Sequence, residues 1–240
     1  MSHRPRRPLI VARGINDWIN RVNQKHEELA KLGLSEEKIE ALSVWVSAEF
    51  AASSLRLSES KQSEGAHSPP GISITALDLA RDAAQEGRSA RLTSAELLRR
   101  LHSPASGDPA EFRKGPGARD RFPKPPPPQT IPAIVEAMCR WTDADSFIEL
   151  NPVEQCAIVH LRLIEIQPFE DANQSTALVA GSFFLLRAGL PPLIIPNELS
   201  RAYETALDEA SRLNTRPMVE LVAEATSRTL SKLILRASGK

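Results

Sequence analysis

Apolar residues recur at helical spacing along most of the chain. Residues 1–13 read as a loose arm. From Asn16 to Lys31 a helical stripe runs through Ile19, Val22 and Leu29, and Gly33 breaks it. Ser35 then caps a second helix, with Glu36 and Glu37 in the first turn, where the helix dipole favours negative charge. Its predicted apolar face is Ile39, Leu42, Val46 and Phe50, with Trp18 and Trp45 read as packing residues. Ser58 to Pro70 is polar and turn-rich and reads as a surface loop. A helix over Ile74–Gln85 follows. Thr93-Ser94-Ala95-Glu96 is a capping box opening a short helix through Leu97, Leu98 and Leu101.

Periodicity fails between Ser103 and Thr130, which hold eight prolines and three glycines. Thr130 is expected to cap a helix through Ile134, Val135, Met138 and Trp141. Asn151-Pro152 supplies a cap and a first-turn proline for a helix through Val153, Ala157, Ile158, Leu161 and Ile164. Pro168 stops that helix, because proline disfavours helical geometry in the residue before it. Ala177 to Ala188 is a nearly all-apolar helix closed by Gly189. Asn197 caps a further helix reaching Leu213, and Pro217 opens the last, with Val219, Val222, Leu230, Leu233 and Ile234 inward. The expected fold is all-α, a bundle of about eight or nine helices, with no repeat at solenoid period.

Composition narrows the function classes. Residues of the hydrophobic class make up 41% and charged residues 25%, ordinary for a globular protein with a real core. Lysine plus arginine and aspartate plus glutamate both number 30, so the net charge is zero and the basic excess of a nucleic-acid binder is absent. No apolar run reaches membrane length. The two cysteines, Cys139 and Cys156, lack metal-ligand spacing and are expected as buried thiols in a cytoplasmic setting.

The densest group of site-like residues is the turn between two of these helices, Gln167-Pro168-Phe169-Glu170-Asp171-Ala172-Asn173-Gln174-Ser175-Thr176-Ala177-Leu178. The amides opening the helix after such a turn form a ready anion site. The segment resembles the central motif of the Fic (Fido) family, His-Pro-Phe-x-Asp/Glu-Gly-Asn-Gly-Arg-x-x-Arg. Ala157-Ile158-Val159-His160-Leu161-Arg162-Leu163 before it, Leu185 to Pro196 after it, and Ser200-Arg201-Ala202-Tyr203-Glu204-Thr205-Ala206-Leu207 further on extend the likeness over residues 75–235. It implies a Fic-type helical bundle over residues 71–240, preceded by N-terminal helices and a loop over residues 1–70. A shortened β-hairpin flap is allowed for between Phe112-Arg113-Lys114-Gly115-Pro116-Gly117 and Pro125–Pro128.

Family members commonly transfer AMP from ATP to a protein hydroxyl. The histidine takes the hydroxyl proton, the acidic residue holds magnesium, and the glycine-rich turn with its arginines cradles the phosphates. By resemblance, Gln167 stands at the histidine position. Phe169, Asp171 and Asn173 match, with Asp171 as the magnesium carboxylate. Ala172 and Gln174 replace the two glycines, and Ser175 and Leu178 replace the two arginines. Glutamine cannot act as a general base, a role worth roughly 10²- to 10⁴-fold in rate. Each lost arginine contact to phosphate removes about 1.5–3 kcal/mol. Alanine and glutamine should resist positive φ and crowd close backbone approach. Asp171 and Asn173 also read as ordinary capping residues, Glu165 and Glu170 as exposed side chains or further carboxylates for magnesium, and His160 as a structural histidine.

Ala48 to Ser58 resembles the family's Ser/Thr-x-x-x-Glu-Gly/Asn inhibitory helix, whose glutamate pairs the second motif arginine. Ser53 and Ser54 supply the hydroxyls, but the glutamate position falls on Leu57 or Ser58. The resulting expectation is a pseudoenzyme, inactive or strongly impaired, that acts through a protein partner or weak nucleotide binding, with homo-oligomers allowed. ATP and magnesium are its cofactors if nucleotide binding survives. The alternatives are an active transferase with altered chemistry, since Asp171-Ala172-Asn173 resembles the phosphate-transferring Doc toxin, and an interaction subunit of another Fic or toxin protein. Arg113, Lys114, Arg119, Arg121 and Lys124 form a local basic cluster, read mainly as a solvated loop.

Overall fold

The computed structural model describes residues 13–59, 70–85, 94–103, 109–117 and 125–239. Among them are ten α-helices and no strand. They are α1 (Arg13–Ala30), α2 (Glu36–Glu59), α3 (Pro70–Gln85), α4 (Ala95–His102), α5 (Ile131–Trp141), α6 (Asp145–Ile148), α7 (Pro152–Ile166), α8 (Asn173–Arg187), α9 (Ser200–Ala210) and α10 (Arg216–Ala237). Two 3₁₀ turns, Pro128–Thr130 and Asn197–Leu199, precede α5 and α9. None of the described helices is long and apolar enough to cross a membrane.

The helical hairpin α7–α8 forms the centre. α2, α3 and α4 pack against α8, while α10 packs against α7, α9 and α1. Phe183 and Phe184 of α8, Phe50 of α2, Phe147 of α6 and Tyr203 of α9 are wholly buried, each large apolar side chain contributing about 1.5–3 kcal/mol. Gly181 lets the two central helices approach closely: a Cβ there would lie 3.0 Å from the Cys156 carbonyl oxygen. Cys139 and Cys156 are buried free thiols, and burial pushes the Cys139 thiol up to about 11.

Both ends of α7 follow local chemistry. Asn151 accepts from the Val153 amide at 3.0 Å, and Glu154 accepts from the Asn151 amide at 3.0 Å, a reciprocal capping box. The helix stops at Ile166, as the following Gln167-Pro168 predicts. Other ends differ from expectation. Ser94, not Thr93, caps α4 by accepting from Leu97, and Thr93 lies outside the described residues. Thr130 stands at the cap position of α5 as expected, but its hydroxyl donates to the Pro127 carbonyl at 2.8 Å and makes no side-chain cap bond. α8 begins at Asn173, a full turn before Ala177, because its polar first turn is tied to the preceding loop. Ile39 is 54% exposed, since only the C-terminal half of α2 reaches the core.

Residues 109–117 and 125–127 run without a ladder, so the flap expected there has no strand among the described residues; residues 118–124 lie outside them. Replacing Asn151 by alanine should cost about 1 kcal/mol through loss of the α7 cap, read as a lower midpoint in urea unfolding with an unchanged m-value.

Candidate functional site at the α7–α8 turn

Gln167 leaves α7 in the left-handed region (φ 47°, ψ 65°) while its amide still donates to the Leu163 carbonyl at 2.9 Å. Its side chain is buried, and Gly117 passes so close that a Cβ there would meet Gln167 Oε1 at 2.8 Å. Ala172 is also left-handed (φ 46°, ψ 19°), a conformation costing a non-glycine residue about 1–2 kcal/mol. Ala172 adopts this geometry in spite of that cost, held by its neighbours. Gln174, at the second glycine position, lies inside α8 where no positive φ is required.

Asn173 is the brace of the turn. Its Oδ1 accepts from the Phe169 amide at 2.9 Å and its Nδ2 donates to the Phe169 carbonyl at 2.8 Å. Neither Asp171 nor Asn173 caps α8; the cap position is Ala172, without a side-chain bond. Thr176 closes the first turn by donating to the Ala172 carbonyl at 3.0 Å.

A second segment of chain is tied to this turn. The Arg113 amide donates to the Pro168 carbonyl at 2.9 Å. Arg113, a buried residue, donates through its guanidinium to the carbonyls of Gln167 (2.6 Å), Gly115 (2.7 Å), Pro126 (2.6 Å) and Ile166 (3.4 Å). Burial pulls the Arg113 pKa down and Glu170 opposes it; arginine nonetheless stays charged. In return Glu170 accepts from the amides of Lys114 (2.8 Å) and Gly115 (3.2 Å), which hold its carboxyl below the usual range. Lys114 itself pairs with Glu111 at 2.7 Å in solvent. Arg119, Arg121 and Lys124, the rest of the basic cluster, lie outside the described residues.

Phe169 is buried between two rings. Phe112 lies 5.7 Å away and tilted; His102, the last residue of α4, stacks at 3.9 Å and 10°. His102 Nδ1 lies 2.9 Å from Thr176 Oγ1 and Nε2 lies 3.7 Å from Asp171 Oδ1. Burial lowers the His102 pKa, against the pull of Asp171. Sequence reading missed His102, because one histidine in an amphipathic helix carries no positional signal.

The remaining positions turn inward or towards α2. Gln174 donates to the Tyr203 hydroxyl at 3.2 Å, and that hydroxyl lies 2.9 Å from Nε2 of buried His160. Ser54 donates to Ser175 at 3.0 Å. Ser53 bridges the Ile195 amide and carbonyl, both at 3.0 Å. Leu178 and Leu57 are buried. Ser58 belongs to α2, but its side chain lies outside the described residues. Glu165 pairs with Arg162 on the surface.

Asp171, its side chain 55% exposed, is available to a cation. Among the described residues no three histidine, cysteine or carboxylate groups gather at one point. A magnesium ion would therefore take most of its oxygens from phosphate or water, its usual habit.

An all-α bundle built on a helical hairpin, with Pro168-Phe169, an acidic turn and Asn173 at its bend, is a Fic-type architecture. Residues 92–185 match the Fic/DOC family. Over 106 residues the chain is 34% identical to the protein adenylyltransferase Fic of Drosophila erecta, covering 44% of this chain and 21% of that protein. The matched region thus spans about a fifth (21%) of that relative's length. A Fic domain containing signaling protein from Bacteroides thetaiotaomicron superposes with a TM-score of 0.77 at 21% identity, over 93% of this chain and 98% of that one. Fic-1 (residues 134–508) from C. elegans gives 0.71 at 18%, over 94% and 73%. IbpAFic2, in a structure covalently tethered to Cdc42, gives 0.50 at 18%, over 90% and 76%. At these identities the structural likeness establishes the fold.

Two substitutions test the turn. Arg113→Ala should lower stability by about 2–4 kcal/mol, because several carbonyls lose a charged donor at once, and Arg113→Lys should restore little of it. Ala172→Gly should raise stability by about 0.5–1 kcal/mol, strain relief exceeding the added chain entropy. Urea unfolding measures both.

Proposed function

We propose that this chain is a Fic-fold pseudoenzyme that does not carry out efficient nucleotidyl transfer and acts by engaging a protein partner, with weak nucleotide binding at most. The observation that carries the reading is the chemistry at three positions. Gln167 has no titratable group to take a hydroxyl proton. Ser175 meets Ser54, and Leu178 is buried in the core, so neither offers a cation to phosphate. Arg113, the guanidinium that touches the turn, already donates to main-chain carbonyls.

The role of Asp171 as a magnesium carboxylate, with Phe169, Ala172, Asn173 and Gln174 around a nucleotide, belongs to the same proposal. So does the loss of inhibitory pairing through Ser53, Ser54 and Ser58. A protein partner accords with the tethered Cdc42 of the IbpAFic2 neighbour. The two buried thiols accord with a reducing, cytoplasmic setting. One observation favours the second reading, an active transferase with altered chemistry: Ala172 reaches the left-handed geometry without glycine, so the acid-Ala-Asn sequence can build a phosphate turn.

Calorimetry with ATP and magnesium separates the two. The pseudoenzyme reading expects no binding tighter than high micromolar, and no label on protein side chains when labelled ATP is incubated with the chain and cell extract. Transfer abolished by Asp171→Ala would establish the active reading. Gln167→His alone should leave transfer absent, since the phosphate cradle would still lack both cations; robust transfer by that variant would overturn this account of the turn.

A further inference from the structure

Residue 167 lies under a length of chain that does not belong to the bend. By the family resemblance a side chain here would take the proton of a hydroxyl, and it must come within about 2.6–3.2 Å to do so. Gln167 is 7% exposed. Gly117 covers its amide tip, wedged between it and Pro125: a Cβ at Gly117 would lie 2.8 Å from Gln167 Oε1 and 2.8 Å from Pro125 Cβ. The gap holds a glycine and nothing larger. No hydroxyl-bearing side chain reaches the tip from that side while Gly117 stays in place.

The covering segment is fastened unequally along its length. Its start is tied to α4, where the Ala110 amide donates to the Arg99 carbonyl at 3.2 Å and the Arg99 guanidinium donates back to the Ala110 carbonyl. Phe112 then packs on Phe169, and Arg113 is fixed to the bend by both its amide and its buried guanidinium. Beyond Arg113 the hold changes in kind. The Lys114 and Gly115 amides rest on the Glu170 carboxylate, which stands in solvent, and the Gly115 carbonyl accepts from Arg113. Hydrogen bonds exposed to water at a loop open at far lower cost than those of a buried core. The segment therefore has a fixed root and a releasable end.

We propose that residues 114–117 are a strap that closes position 167 to a protein hydroxyl, with Arg113 as its root and the Glu170 carboxylate as its clasp. Lifting it breaks the two amide bonds to Glu170 and the contact of Arg113 with the Gly115 carbonyl, while the bonds of Arg113 to Gln167 and Ile166 stay made. The bend itself need not move. The strap is thus a self-inhibitory contact, one that adds a steric block to the chemical one at this position. It rests on the reading that places residue 167 where the family has its histidine.

The test reads access to position 167 directly. Gln167→Cys in the full chain is treated with iodoacetamide, and labelling of that residue is followed by mass spectrometry, since a thiol reacts only where reagent reaches it. Labelling should be slower than in the urea-unfolded chain by about 100-fold or more; a smaller difference overturns the closure. Adding Glu170→Ala, which takes the acceptor from both amides, should speed it by about tenfold or more, and a smaller rise overturns the clasp. Adding Glu165→Ala, which removes a surface pair with Arg162, should leave the rate unchanged; a rise matching that of Glu170→Ala would mean general loosening and no strap. Amide hydrogen exchange gives an answer without the cysteine. Between the natural chain and Glu170→Ala, the Lys114 and Gly115 amides should exchange faster by about tenfold or more. The Arg113 and Gln167 amides, bonded to the Pro168 and Leu163 carbonyls, should not change. If all four accelerate together, or none does, the strap does not exist. Neither measurement involves ATP, so the strap can fail while transfer remains absent, and transfer can be found while the strap stands.

Discussion

A buried guanidinium with carbonyl partners holds this bend together. Arg113 reaches Gln167 and Ile166 at the end of α7, Gly115 on its own loop segment and Pro126 beyond it. The last carbonyls of a helix carry partial negative charge and need donors. One planar cation satisfies several of them and fastens two stretches of loop to the hairpin in the same act. Glu170 repeats the device with opposite sign, its carboxylate receiving two loop amides. Because these bonds cross between segments distant in sequence, they tie the turn and the covering loop to each other.

That arrangement bears on chemistry. A turn that cradles phosphate needs backbone amides facing outward and cations nearby. Here the Arg113 guanidinium faces the backbone, Asn173 is engaged on both sides of Phe169, and Gln174 points to the Tyr203–His160 pair. Asp171 and His102 are left at the solvent edge. Where α2 meets α8, Ser54 donates to Ser175, and Leu57 and Leu178 are buried.

Much of the fold was legible because helices announce themselves locally. Asn151-Pro152, Gln167-Pro168 and Gly189 marked the ends of the two central helices through capping chemistry and dihedral restriction. The start of α8 was not legible. Residues Asn173 to Thr176 look like loop until Asn173 clasps Phe169 and Thr176 bonds back to Ala172. Ile39 matched a helical stripe, yet is half exposed, because no described neighbour reaches that part of α2.

By itself the sequence determined the helical hairpin, its family motif and the residue types at the bend, since these follow from nearest-neighbour geometry and side-chain chemistry. Only the tertiary structure decided that Arg113 and His102 belong to the same bend. Their contacts join α4, the loop after it and the α7–α8 turn, and no periodicity along one chain segment encodes which distant side chain folding will bring alongside it.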